Sequence, residues 1–333
     1  MDIKPLLSSI ELELQKQISR LDQPRTGPFH QMLNYHMGWT GEGAGPEATG
    51  KRIRPLMVLL CASACGSDWT KTLPAAAAVE LVHNFSLVHD DIQDNSPKRR
   101  GRDTAWVKWG APMAINVGDA LFVISNQAII DLKENYPAEV VVKAAEILHN
   151  TCLDLTRGQY LDMSFEEQPD LTMDDYWPMI AGKTAALLSA CCHLGALLGG
   201  AEDARQDAFR SFGHYLGLAF QVQDDILGIW GEEAVTGKSV ASDLVEGKNS
   251  LPVLAGLAAN GQFAERWRQG PIHAHEVEKM AKLLAAEGGY ETAHNAATNM
   301  TDLSMLNLRE AEPHGEAGEA LFDLAEMLLK RKQ

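Results

Sequence analysis

AAAAVELVHNFSLVHDDIQDNSPKRRGR, residues 75–102, carries a helix, its acidic end and the turn that stops it. Apolar residues recur every three or four positions as far as Val88, the period of a helix with a buried face. Asp90, Asp91 and Asp94 then close the segment just before the breaker Asn95-Ser96-Pro97. For the protein alone this is a poor arrangement. Asp90 and Asp94 stack on one face four residues apart, where like charges repel by a few tenths of a kcal/mol, and a helix C-terminus disfavours anions. Something positive is expected to face them.

The same period continues outward. Residues 54–64, 76–90, 111–132, 137–156, 175–199, 205–230, 275–287 and 317–331 all carry apolar residues at helical spacing. The breakers between them are GEGAGPEATG at 41–50, NSPKRRGR at 95–102, EEQPD at 166–170 and the Gly-Gly pairs at 199–200 and 288–289. Alternating β-branched runs are missing, so the expected class is all-α: a single-domain helical bundle spanning 1–333.

Composition narrows the function. Of the 333 residues 45% are hydrophobic and 22% charged, which suits a globular chain, and a net charge of −16 argues against a nucleic-acid partner. No uninterrupted apolar run of membrane length is expected, and the N-terminus MDIKPLLSSIELELQKQI lacks a signal-peptide layout, so the expected location is cytoplasmic. Cys61, Cys65, Cys152, Cys191 and Cys192 have no metal-ligand spacing and read as reduced core thiols.

Two more aspartate pairs follow. Asp174 and Asp175 open a helix, where the macrodipole favours acids, and need no further role. Asp224 and Asp225 instead fall late in the apolar run HYLGLAFQVQDDILGIW, where unpaired carboxylates cost several kcal/mol. Either this pair or the 90–94 cluster alone could be a solvated helix end. Both in one chain point to Mg²⁺, which takes carboxylate oxygens, keeps waters and completes its shell with phosphate.

Cations gather near the acids. GKRIRP at 50–55 brings Lys51, Arg52 and Arg54 to a glycine loop entering a helix, an anion-binding arrangement. Lys98, Arg99, Arg100 and Arg102 follow the first cluster; Gly182-Lys183-Thr184 interrupts an apolar helix; Lys238 and Lys248 follow the second. His83 lies two turns before Asp90 on the same face, although a lone histidine there is commonly a core residue. The plain reading of Lys98 and Arg102 is as solvated charges. No Walker loop is present, which disfavours a nucleotide. Metal-bridged polyphosphate on a greasy substrate fits best.

The ordered segments GKRIRP, VELVHNFSLVHDDIQDNSPKRRGR, NVGDALF, RGQYLD, GKTAALLSACCHLGA, AFQVQDDILG and TGKSVASDLVEGKNSLPVL resemble the trans-isoprenyl diphosphate synthase family over residues 50–255. The resemblance implies the isoprenoid-synthase bundle around a deep cavity. It also implies Mg²⁺-dependent condensation of isopentenyl diphosphate with an allylic diphosphate (dimethylallyl, geranyl or farnesyl), about three ions with substrate bound, and a homodimer. By the same resemblance Asp90, Asp94 and Asp224 are metal ligands, with Asp91 and Asp225 beside them. Lys51, Arg54, His83 and Arg100 anchor isopentenyl diphosphate; Arg99, Lys183 and Lys238 hold the allylic diphosphate, with Lys248 a further contact. Thr184 and Gln221 steady the forming carbocation, and Gln159 and Asp162 line the cavity wall. Gly228 departs from the pattern, standing where many members have a third aspartate.

Phe85, five residues before Asp90, lies roughly 7.5 Å deeper along the helix and is expected to limit the product to roughly C15–C20, geranylgeranyl favoured, with small Ser86 beside it. Two rivals remain: a terpene cyclase, which binds one diphosphate and has no need of Lys51, Arg54 and His83 together, and a non-catalytic subunit, which would show eroded acidic motifs.

Overall fold

The structure, a computed structural model, describes residues 1–165, 168, 170–231 and 242–329. Among these the chain is helical almost throughout, and the strands are one two-residue hairpin, Lys98–Arg99 antiparallel to Arg102–Asp103. The principal helices are α1 (Lys4–Ile18), α2 (Gly27–His36), α3 (Pro46–Thr49), α4 (Ile53–Ala64), α5 (Leu73–Gln93), α6 (Ala105–Trp109) and α7 (Ala111–Asp131). They continue with α8 (Ala138–Phe165), α9 (Met173–Ile180), α10 (Ala186–Leu198) and α11 (Asp203–Trp230). The all-α expectation holds, and the predicted helix at 175–199 is broken by a π-helical turn, Ala181–Ala185.

Two compact units make up the chain. The first comprises Met1–His149, Cys191–Gln206 and Pro313–Leu321; the second comprises Asn150–Ala190, Asp207–Glu312 and the stretch from Phe322. In the first, α5 runs along α7 and is flanked by α1 and α4. Proline at the first turn starts α5 and α7, where its missing N–H has no helical partner to lose. Ala75–Ala78 are buried, so neighbouring helices approach α5 closely. Glycine does the same for α10: a Cβ on Gly195 would lie 2.5 Å from the Cys61 Cβ, and one on Gly199 2.6 Å from that of Cys65. All five cysteines are free thiols, as expected, and burial pushes Cys65 and Cys152 up to about 11.

In the second unit Tyr176, Ile180, Val222, Ile226 and Leu254 share a core with Ala293 and Ala297 of the helix Gly289–Glu310. That last helix was not expected. Its buried face is Gly289, Ala293, Ala297, Ser304 and Leu308, too small and polar to print an apolar stripe.

By length and mean hydropathy Ala111–Glu134 and Met173–Leu198 could cross a bilayer, although charged residues such as Asp119 and Lys183 interrupt both, so neither is an uninterrupted apolar run. Their most apolar windows are 44% and 61% buried inside the protein. Asp174 and Asp175 do open α9: the Asp175 carboxylate accepts from the Thr172 N–H (2.9 Å) and hydroxyl (2.7 Å), closing a capping box.

Candidate active site

In the first unit the acidic end of α5 and two basic loops come together. The Asp94 N–H donates to the Asp90 carbonyl at 2.8 Å, and Asn95 turns left-handed at φ 50°, stopping the helix. The carboxylates separate: Asp94 is exposed, Asp90 half-buried, and Asp91 turns inward at 2% exposure. Arg99 donates to the Asp91 Oδ1 through both Nε and Nη2, each at 2.8 Å. Asp91, expected beside the metal ligands, is therefore committed to orienting an arginine. Burial pushes its pKa up, and the Arg99 bond and charge oppose that.

Arg99 reaches this position through the hairpin, whose two turn residues, Arg100 and Gly101, have φ 50° and 74°. That pair of left-handed residues is the tight turn that matches strand twist. Arg100 then donates to the Ala48 carbonyl at 2.8 Å. Gly50 makes room for it: a Cβ there would lie 2.6 Å from the Arg100 Nη2. Arg102 is not the solvated charge expected. It donates to the carbonyls of Tyr35, Thr40 and Glu42 and stacks 4.0 Å over the Tyr35 ring, tying hairpin to loop.

The three cations of GKRIRP part company. Lys51 is exposed. Arg52, in the left-handed conformation before α4, is buried against Glu80 (2.7 Å) and Glu11 (2.5 Å) and serves the fold. The Arg54 Nη1 lies 3.4 Å from the His83 Nε2. Burial, then Arg54 and its neighbouring arginines, hold His83 well below the usual histidine range, so it is neutral and accepts from Arg54. The Arg54 guanidinium is thus backed by an uncharged imidazole.

Phe85 stacks near Phe122 of α7 (centroids 5.0 Å apart) and edge-on to His89 (5.1 Å). His89 lies over Gly118, where a Cβ would be 2.2 Å from its Nε2. Ser86 turns its hydroxyl back to the His83 carbonyl at 2.8 Å. Phe122 was quoted only within NVGDALF; its position four residues after Gly118, on one helix face, was the available signal.

The second unit builds the other acidic cluster. Gly158 of RGQYLD and Gly182 of the π turn press together: a Cβ on Gly158 would lie 2.1 Å from the Lys183 N, and one on Gly182 2.7 Å from the Asp154 carbonyl oxygen. This contact sets Lys183 against Asp162 as an ion pair. Thr184 donates to the Gln221 Oε1 at 2.7 Å, and Gln221 donates onward to the Asp225 Oδ1 at 3.0 Å. The Asp225 Oδ2 accepts from the Tyr176 hydroxyl (2.7 Å) and the Leu251 N–H (3.1 Å). Asp225 is a buried hub, pushed up to about 6 by burial against these bonds. Its neighbour Asp224 is half-buried.

Gly228 has a local reason. A Cβ there would lie 2.0 Å from the Oδ2 of the buried Asp243, so a carboxylate from farther along the chain fills the space of a side chain at 228. The Asp243 Oδ1 is 3.3 Å from the Lys248 Nζ, and Glu246 is 2.8 Å from it. Burial opposes the Lys248 charge, but these two carboxylates hold its pKa well above the usual lysine range. Lys238 lies outside the described residues.

Residues 45–284 match the polyprenyl synthetase family. The chain belongs to that family. It is 39% identical to the geranylgeranyl diphosphate synthase of Mycobacterium tuberculosis over 99% of this chain and 94% of that protein. It is 37% identical to the (2E,6E)-farnesyl diphosphate synthase of Mycobacterium bovis, over 96% and 89%. Among solved structures, a polyprenyl synthetase from Streptomyces coelicolor A3(2) superposes with a TM-score of 0.86 at 34% identity, covering 96% of each chain. As a polyprenyl synthetase the chain is a prenyltransferase, and its fold is the all-α isoprenoid-synthase type.

Among the described residues no three carboxylate, imidazole or thiol side chains converge as a closed metal site. The donors on offer, Asp90, Asp94 and Asp224, are hard oxygens. They fit Mg²⁺, which keeps waters and takes phosphate oxygens for the remainder of its shell.

Proposed function

We propose that the protein, as a single synthase domain, condenses isopentenyl diphosphate with an allylic diphosphate to give a trans-prenyl diphosphate, with geranylgeranyl diphosphate as the main product. The observation that supports this most is the division of labour around α5. Carboxylates stand at its exposed end, Arg99 is locked to Asp91, and a separate anion anchor lies at Arg54 and His83. Two anion positions suit two diphosphates; a terpene cyclase binds one. The intact Asp90, Asp94 and Asp224 argue against a non-catalytic subunit.

Asp90, Asp94 and Asp224 would hold Mg²⁺, about three ions with substrate bound, neutralising charge that builds on the departing diphosphate. Arg99, Lys183 and Lys238 receive the allylic diphosphate, with Lys248 an additional contact. Lys51, Arg54, His83 and Arg100 position isopentenyl diphosphate for attack by its double bond. Thr184 and Gln221 present oxygen lone pairs to the developing allylic cation. The Gln221 amide is oriented in advance because its N–H₂ is engaged by Asp225. Apolar helices keep water from the cation.

The floor under the growing chain is Phe85 backed by Phe122, a pair that supports a product of intermediate length. Phe85→Ala should open it, and chromatography of products should show a shift to chains at least one isoprene unit longer. An unchanged distribution from folded, active enzyme would move the floor elsewhere.

The direct test is incubation with labelled isopentenyl diphosphate and dimethylallyl, geranyl or farnesyl diphosphate. Mg²⁺-dependent elongation ending at geranylgeranyl diphosphate is expected; a cyclised hydrocarbon or no elongation would refute the reading. Arg54→Ala should raise the KM for isopentenyl diphosphate by about tenfold or more, the loss of one charge-assisted bond, and leave the allylic KM nearly unchanged. Equal effects on both would reassign the anchor.

A homodimer in the cytoplasm completes the proposal. Met113, Ile115, Val123 and Ile130 of α7 are exposed, and a groove of about 550 Å³ beside them is lined by Phe29 and Met32 of α2. Such an apolar face fits a second copy of the chain.

A further inference from the structure

Beside the Asp91–Arg99 pair lies a small, partly open cavity of about 20 Å³, lined by His36, Asn84, Asp91, Arg99 and Arg100 among others. Three polar atoms shielded from solvent around it have no partner: the His36 Nε2, the Asn84 Oδ1 and the Asp91 Oδ2. Asn84 is 1% and Asp91 2% exposed, so these are not surface groups awaiting bulk water. All three are acceptors. The Asn84 amide is oriented by its own N–H₂, which donates to the Glu80 carbonyl (2.8 Å) and carboxylate (3.0 Å), leaving the oxygen on the cavity side. The His36 ring donates to the Asn84 backbone carbonyl, so its unpartnered Nε2 is the lone-pair nitrogen. Burial, then Arg99 and Arg100, push its pKa down to about 3, which keeps the ring neutral.

Three orphaned acceptors demand a donor. Arg99 and Arg100 on the wall disfavour a cation, and the Asp91 carboxylate disfavours an anion. The volume exceeds the ~10–15 Å³ that one water needs and excludes anything much larger. A water can donate two protons, satisfying two of the three atoms, each of which costs about 1–3 kcal/mol if left bare.

We propose that one ordered water occupies this cavity, donates one proton to the His36 Nε2 and the other to the Asp91 Oδ2, and makes His36 a positioning residue for Arg99. Arg99 engages only Oδ1; the water secures the other oxygen and stops the carboxylate from rotating. The water itself does not depend on the proposed reaction; its effect on substrate binding does.

A crystal structure at a resolution that orders solvent should show density within hydrogen-bonding distance of both the His36 Nε2 and the Asp91 Oδ2. An empty cavity overturns the proposal. In parallel, calorimetric binding of inorganic diphosphate with Mg²⁺ is compared in wild type, His36→Leu and His36→Gln, with thermal midpoints measured alongside. His36→Leu removes the acceptor and should bind about three- to tenfold more weakly, and His36→Gln, which retains one, should return most of that loss. Equal weakening in both variants, or wild-type binding by His36→Leu, refutes the positioning role. If wild type fails to bind diphosphate at all, the proposed function falls, and the density still decides the water.

Discussion

Asp90→Ala or Asp94→Ala should lower turnover by about a thousandfold or more while the fold survives. These two side chains stand at the solvent end of α5, half-buried and exposed, unlike the inward Asp91. The two readouts should diverge. Deleting one of two like charges four residues apart relieves a few tenths of a kcal/mol of repulsion at a helix end that disfavours anions. The melting temperature should therefore hold steady or rise slightly as activity disappears. Steady-state rates at saturating Mg²⁺ and circular-dichroism melts on the same preparations decide it. A rate near wild type would remove both aspartates from the metal assignment.

The largest effect on stability is expected from Arg52, a residue with no proposed contact to substrate. Its guanidinium and the Glu80 carboxylate are each about 3% exposed. Arg52→Ala would leave Glu80 charged and unpaired inside the protein, a loss of about 3–5 kcal/mol. Glu11, at 29% exposure, can turn to water instead. Urea unfolding should show the loss as a lower midpoint at unchanged slope. The double variant Arg52→Met/Glu80→Met should regain most of it, because replacing both ions by apolar groups of similar volume removes the stranded charge. A single variant as stable as wild type would mean that water already reaches Glu80.

These cases mark where the sequence was legible. Helices α4, α5, α7 and α11 were readable because each lays large apolar residues along one face. The Gly289–Glu310 helix was not, because alanine, glycine and serine bury its face. The acidic clusters were readable as unfavourable charge at helix ends. Which member of each turns inward was not: Asp91 is decided by a left-handed turn at Asn95 and a hairpin that returns Arg99, and Asp225 by Tyr176, 49 residues away. GKRIRP showed three cations alike; only Glu11 and Glu80, 41 and 28 residues from Arg52, distinguish the structural one. Asp243 beside Gly228 and Phe122 beside Phe85 are likewise matters of distant segments meeting, which local spacing does not encode.

The interleaving of the two units bears on how the chain is made. The first unit holds residues 1–149 but also 191–206 and 313–321, so no single cut releases it as a continuous fragment. On the ribosome α4 emerges long before α10, whose Gly195 and Gly199 lie against Cys61 and Cys65. The last tie, from the His314 N–H to the Ala64 carbonyl at 3.0 Å, comes later still. At ~5–20 residues per second, the interval between residues 149 and 321 is about 10–30 s. Until α10 has emerged, the flank of α4 that Gly195 and Gly199 press against lacks its cover. Closing the long loops adds little to the equilibrium free energy, since each doubling of length costs only ~0.6 kcal/mol, but it delays burial. The first unit is therefore complete only after residues 313–321 have left the ribosome.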